Sequence, residues 1–244
     1  MELELVILGL LTGFTAGFFG IGGGSILIPL LLLLGFVMKE AVAISIMQMV
    51  FSSIYGSFLN SKKIKNLTRD GIFLGIGAII GGAISGYFLP SIPNIYLQYL
   101  FIATLFYTVY TLIKAPSSQE VEHQDKNVFL LVFIGFCVGI FAMSIGIGGS
   151  LMLLPILVRF LKYDLKIATA LGLFFVIFSS IGGFISTSIY GTMLYKEGAI
   201  IGIASLVGVY FGIKVKDIIK AKSYKVFVII LNSFVLLIML YKTI

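Results

Sequence analysis

Two glycine clusters carry the clearest chemical signal in this sequence. Gly20-Ile21-Gly22-Gly23-Gly24-Ser25-Ile26-Leu27-Ile28-Pro29 lies inside one long apolar run, and Gly146-Ile147-Gly148-Gly149-Ser150-Leu151-Met152-Leu153-Leu154-Pro155 lies inside another. A glycine-rich break followed by a new helix leaves that helix's first backbone N–H groups without carbonyl partners, at the positive end of its dipole. Such a start is an anion site that needs no charged side chain. Gly22, Gly23, Gly24, Gly148 and Gly149 are therefore candidate substrate-binding residues, and Ser25 and Ser150 add hydroxyls at or beside the two new N-termini. Pro29 and Pro155 fall in or just after the first turn, where a missing N–H costs little.

Hydroxyls recur at matched depth elsewhere. Ser52-Ser53 and Ser179-Ser180 hold equivalent places in equivalent apolar segments. A serine there either bonds the carbonyl of its own preceding turn or lines a site shared by the two segments. Gln48, one turn before Ser52, is an amide well inside a predicted span. In lipid depth it must face protein or a cavity, and site-lining and interhelical bonding are both open to it. Ser45 and Thr169, near their helix starts, are weaker candidates.

What is missing narrows the chemistry further. No Asp, Glu, Lys or Arg lies deep within a predicted span, so there is no intramembrane carboxylate relay and no buried cation. The single histidine, His123, sits in a polar linker, which excludes a Ser-His pair or a His-based zinc centre within the membrane. The glycines lack the Lys-Ser or Lys-Thr of a nucleotide phosphate loop. Cys137 is the only cysteine and reads as a small core residue. No cofactor or metal is called for, and the enzyme class is disfavoured.

The elements that must position these residues are membrane helices. Of the 244 residues 59% are hydrophobic and 11% charged, against about 25% charged in a soluble domain. Apolar stretches run 3–37, 41–60, 71–90, 95–113, 128–161, 167–190, 198–213 and 224–241, most of them near the ~20 residues that cross a bilayer as a helix. The alternation of a membrane barrel is absent. The stretches 3–37 and 128–161 are too long for one crossing, since thirty-five helical residues would reach roughly 50 Å, and each must bend at its glycine cluster. The opening Met1-Glu2-Leu3-Glu4 is acidic where a signal peptide is basic, and its segment recurs in the second half, so it reads as mature structure.

That recurrence extends along the chain. Phe51-Ser52-Ser53-Ile54 matches Phe178-Ser179-Ser180-Ile181, Gly56 matches Gly183, and Gly71, Gly75 and Gly81 match Gly198, Gly202 and Gly208. Gly71, Gly75, Gly81, Gly82 and Gly86 read as close helix packing. The chain divides into a first membrane repeat (1–113), a linker (114–127) and a second membrane repeat (128–244). The expected fold is an all-α polytopic membrane protein of two inverted-topology repeats, each a glycine-broken helical hairpin plus three transmembrane helices.

Charge decides the orientation. If each long stretch enters and leaves on one side, the loops 61–70, 114–127, 159–166 and 214–225 share a side and hold 14 of the 17 Lys and Arg. Basic residues mark the cytoplasmic side, so the linker is expected inside and both termini outside. The net charge of +7 thus reflects helix ends and no nucleic-acid partner. Charge does not say whether the hairpins cross fully or dip and return.

At these residues the sequence resembles the sulfite exporter TauE/SafE family of membrane transporters. The resemblance rests on Gly20-Ile21-Gly22-Gly23-Gly24-Ser25…Pro29, on Ala41-Val42-Ala43-Ile44-Ser45, on Ser52-Ser53, on Gly71…Gly75…Gly81 and on their second-half counterparts, from Leu5 to about Leu240. It implies export of a small oxyanion or organosulfur anion such as sulfite or a sulfonate across the cell membrane. Where the family often has Gly-Thr-Ser, this chain has Ala43-Ile44-Ser45 and Ala170-Leu171-Gly172. The combined expectation is a secondary transporter for a small anion in the lipid bilayer, working by alternating access around a midplane site. A passive anion channel and a membrane scaffold without a transported substrate are the alternatives. Oligomeric state is open, a homo-oligomer included.

Overall fold

The computed structural model describes residues 2–20, 22–64, 68–114, 127–163, 165–191, 193–218 and 221–243. Ile21 of the first glycine cluster, nearly all of the 114–127 linker and its His123 lie outside the described residues. The described chain is all-α: α1 (Glu2–Phe19), α2 (Gly24–Leu33), α3 (Met38–Ile64), α4 (Thr68–Phe88), α5 (Asn94–Lys114), α6 (Val128–Ser144), α7 (Ser150–Pro155), α8 (Leu165–Tyr190), α9 (Tyr195–Ile218) and α10 (Ala221–Thr243). Six of these helices are long and apolar enough to cross a membrane: α1, α3, α4, α8, α9 and α10. The chain is a polytopic membrane protein, since in lipid only helices with every backbone bond satisfied internally can span. Its outer faces carry Phe58, Phe106, Ile203, Phe234 and Leu237, all exposed.

Both long apolar stretches break at their glycines. α1 ends at Phe19 and α2 begins at Gly24, with Gly23 as N-cap at φ 78°. α6 ends at Ser144 and α7 begins at Ser150, with Gly149 as N-cap at φ 79°. Only glycine adopts that left-handed backbone without cost, so the two breaks share one conformation. A Cβ on Gly23 would lie 2.9 Å from the Thr12 carbonyl oxygen. The α2 start is therefore level with the middle of α1 and not with its end. Ten helical residues then reach only ~15 Å, half the ~30 Å hydrocarbon layer.

The prolines sit deeper than the sequence suggested, and there a missing N–H matters. Pro29 and Pro155 are each the sixth residue of their helix. Beyond Pro155 the helix loosens into a π turn over Ile156–Phe160, as expected where an interior proline removes one rung of the ladder. Thr108 of α5 points its hydroxyl at the Leu151 carbonyl, 3.5 Å away, the oxygen that Pro155 leaves without its usual donor.

Helix pairing depends on glycine. α1 packs along α9 and α4 along α6, with α4 also against α8 and α3 against α9. A Cβ on Gly13 would collide with the Ser205 backbone, and one on Gly135 with the Leu74 backbone. Gly71 and Gly75 seat the rings of Phe174 and Phe178, and Gly81 abuts the Phe136 backbone, which is the packing role expected of them. In lipid, association comes from such contact and not from water exclusion.

Candidate functional site

The site is built where the two breaks meet. A Cβ on Gly24 would collide with the Gly146 carbonyl oxygen, so the backbones of the two clusters touch in the interior. Met49 of α3 and Val176 of α8 fill the space between them. The Met49 sulfur would lie 3.3 Å from a Cβ on Gly22 and 2.5 Å from one on Gly148, and the Val176 methyls 3.3 Å and 3.5 Å from the same two. Both side chains are fully buried.

Around this contact the polar candidates divide into three groups. Ser45 donates its hydroxyl to the Gly146 carbonyl at 2.8 Å, linking α3 to the second break. Ser179 does the same more loosely, 3.5 Å from the Gly148 carbonyl and 3.3 Å from that of Val176. Ser52 and Ser180 turn back to their own helices, to Met49 O at 3.4 Å and Ile177 O at 3.2 Å. Ser25, Ser53, Ser150 and both amide atoms of Gln48 are buried without any hydrogen-bond partner.

Gln48 is the most informative of these. It is 0% exposed, and its Nε2 and Oε1 would each lie 3.1 Å from a Cβ on Gly23, at the cap of α2. An unsatisfied buried amide costs on the order of 1–3 kcal/mol per group, and such exceptions ask for an explanation. At the same cap, the Ile26 and Leu27 N–H groups both donate to the Gly23 carbonyl, at 3.2 and 3.1 Å. The Gly24 and Ser25 N–H groups are first-turn donors with no carbonyl one turn back. Two backbone donors and the Gln48 amide thus meet at one end of α2, whose second residue is Ser25 with its unpartnered hydroxyl. No buried side chain among the described residues carries a charge.

The second break is not its equal. The place of Gln48 is taken there by Phe175, whose ring abuts Gly149 together with Ala142. Of the unpartnered polar candidates only Ser150 stands at the α7 start, and the α-helical part of α7 is six residues long. Met49, Val176 and Phe175 were not singled out from sequence. Extending the 127-residue offset of Ser52 and Ser179 back along the helix pairs Gln48 with Phe175 and Met49 with Val176, and that signal would have found them.

The match to known proteins fits this architecture. The model of the family described as sulfite exporter TauE/SafE matches residues 5–239. The chain belongs to the TauE/SafE family. It is similar to a probable membrane transporter protein of Methanocaldococcus jannaschii, 29% identical over 192 residues, covering 75% of this chain and 70% of the relative. The probable membrane transporter protein YunE of Bacillus subtilis is 23% identical over 261 residues, 96% of this chain and 93% of the relative. A probable membrane transporter protein of Haemophilus influenzae is 25% identical over 161 residues, 62% of this chain and 61% of its own length. No solved structure matches. This TauE/SafE member is thus a membrane transporter by family, which is not an enzyme class.

Proposed function

We propose that this TauE/SafE protein is a secondary transporter of the cell membrane that exports a small anion, a sulfur-containing oxyanion or organosulfonate such as sulfite. The observation that carries the reading is the start of α2. The first-turn N–H groups of Gly24 and Ser25 begin the helix there, and the Ser25 hydroxyl and the Gln48 amide are buried and without partners beside the second break. Helix starts at broken helices are where transporters hold anionic groups. The family description supplies the substrate class.

The two repeats are inverted in this reading, with both termini outside and the linker cytoplasmic. Support comes from the order of the helix contacts. Gly9, Gly13 and Gly17 of α1 meet Ile201, Ser205 and Val209 of α9 in the same sequence direction, and Gly71 and Gly75 of α4 meet Phe174 and Phe178 of α8 likewise. Along α3 and α8 the order reverses, since Gly56 meets Leu173 while Ala43 lines a cavity with Thr187 and Tyr190. α1, α3 and α9 thus run one way, and α4 and α8 the other.

The moving bodies are not the sequence halves. Glycine contacts join α1, α3 and α9 in one group and α4, α6 and α8 in another, with α2 lying on α3 and α7 on α8, so each group holds helices of both repeats. Rocking one group on the other about the Met49–Val176 contact exposes the α2 start to each side in turn.

The test is flux. Purified protein in liposomes should move sulfite or a sulfonate saturably and with counterflow. Replacing Gly23 and Gly149 together by Leu should stop flux while the protein still inserts, and normal flux through that variant refutes the site.

A further inference from the structure

Gln48 offers the cap of α2 two things at once. Whichever way round the amide lies, it presents one N–H₂ donor and one C=O acceptor, both fully buried, both without partners, both at the cap of α2. An anion bearing only bare oxygens can use the donor. The acceptor would then face negative charge in a low-dielectric interior, where an unmatched polar group is most costly. An anion that carries an acidic O–H uses both.

We infer that the transported species is a hydrogen oxyanion: a singly charged anion that keeps one acidic hydrogen, hydrogen sulfite in the case of sulfite. This rests on the proposal that the α2 start holds the anion. Two further observations favour it over a dianion. The positive end of a helix amounts to roughly half a charge, and no buried side chain among the described residues carries a charge to compensate a second one. The carbonyls of Thr12 and Gly146 also crowd Gly23 and Gly24. Both already accept a hydrogen bond, from Thr15 and Ser45, and both turn a negative dipole end toward the cap.

The assignment also places the proton. It enters bound to a substrate oxygen, donates a hydrogen bond to Gln48 Oε1 while the Nε2–H₂ and α2 amides hold the charged oxygens, and leaves on the same oxygen. No bond to hydrogen breaks within the membrane and no side chain titrates. The anion and one proton equivalent move together, which removes the need for the carboxylate relay that the sequence lacks. Phe175 offers neither donor nor acceptor at the second break, so the paired donor and acceptor are found at the first break.

The experiment measures initial flux into liposomes for sulfite, for methanesulfonate (singly charged, no acidic hydrogen) and for sulfate as the dianion. At fixed total sulfite the rate should rise as pH falls through the second ionisation, in step with the hydrogen sulfite share. The methanesulfonate rate should be lower and flat over the same range, which also reports any effect of pH on the protein, and sulfate should move slowest. Gln48→Met keeps the side chain's length and removes both polar atoms. It should lower sulfite flux on the order of tenfold or more and bring the sulfite-to-methanesulfonate ratio toward one. A sulfite rate that is flat or rises with pH, or a ratio unchanged by Gln48→Met, overturns this inference while leaving anion transport at the break intact. Failure of all three anions to move overturns both.

Discussion

Gln48 and Phe175 hold the same station in the two halves of the molecule, one facing the α2 cap glycine Gly23 and the other the α7 cap glycine Gly149. Both are 0% exposed, yet one leaves two polar atoms unpaired and the other fills its place with carbon. If Gln48 holds the anion as proposed, stability and function pull in opposite directions at the pair. Gln48→Leu removes two unsatisfied groups, each worth on the order of 1–3 kcal/mol, and should raise the unfolding temperature in detergent while flux collapses. Phe175→Ala opens a void and should destabilise by about 3–5 kcal/mol. A Gln48→Leu protein that is less stable than wild type would show that the amide holds the fold and not a ligand.

Gly24 and Ser45 in the first half correspond to Ser150 and Gly172 in the second, and the small and the hydroxylated residue have changed places. Gly24 leaves room for the Ser45 hydroxyl and the Gly146 carbonyl, while Gly172 leaves room for Ser150, whose Cβ would lie 3.0 Å from one on Gly172. Gly172→Ser alone should cost about 1–3 kcal/mol through overpacking. Adding Ser150→Gly should restore most of it, a coupling that a double-mutant cycle reads directly. Additive losses would mean that the two positions do not share one space.

At the α3 start, Lys39 ties the two helix groups together. Its ammonium donates to the Pro90 carbonyl at 2.6 Å, and its backbone N–H to Asn94 Oδ1 at 3.2 Å. It also lines a cavity of about 290 Å³ with Ala43, Leu89, Pro90, Thr187, Tyr190 and Gly191. Lys39→Ala should loosen this end. With Thr187→Cys in a Cys137→Ser background, a membrane-impermeant thiol reagent added from outside should label several-fold faster when Lys39 is removed, as a bond of about 1 kcal/mol allows. Equal labelling rates would mean that Lys39 does not restrain the opening.

The helices and the two breaks were legible because lipid leaves a chain few choices. Apolar runs must be helical, and runs too long for one crossing must turn where glycine allows it. The glycines outside the long runs pack as their place suggested, but Gly13 and Gly135 lie inside those runs and pack as well. The division within the site was less visible. Ser52 and Ser53 look alike in sequence, but one bonds the Met49 carbonyl and the other bonds nothing, because helix phase sets which neighbour each hydroxyl meets. The depth of Pro29 and Pro155 in their helices was misjudged for a related reason. Helix α2 starts at Gly24 and α7 at Ser150, and a start within a glycine run is fixed by what it packs on, not by its own residues. Met49 and Val176 were invisible as single side chains and gain meaning only from the meeting of two segments 127 positions apart.

Asp70 at the start of α4 and Tyr163 after the π turn are hydrogen-bonded, the phenol donating to the carboxylate. The bond fastens the loop before α8 to α4 within one helix group. Burial first, and then the Asp70 hydrogen bond and charge, push the Tyr163 phenol above its ordinary value of 10.0. A raised phenol means that the folded protein holds this proton more tightly than the unfolded chain. The contact's contribution is therefore complete below pH 10.0 and is lost as pH rises beyond that value. Tyr163→Phe should lower stability by about 1–2 kcal/mol at neutral pH. The difference between wild type and variant should stay constant through neutral pH and shrink in strong alkali. A difference that fades near neutrality would assign the stability to some other titrating group.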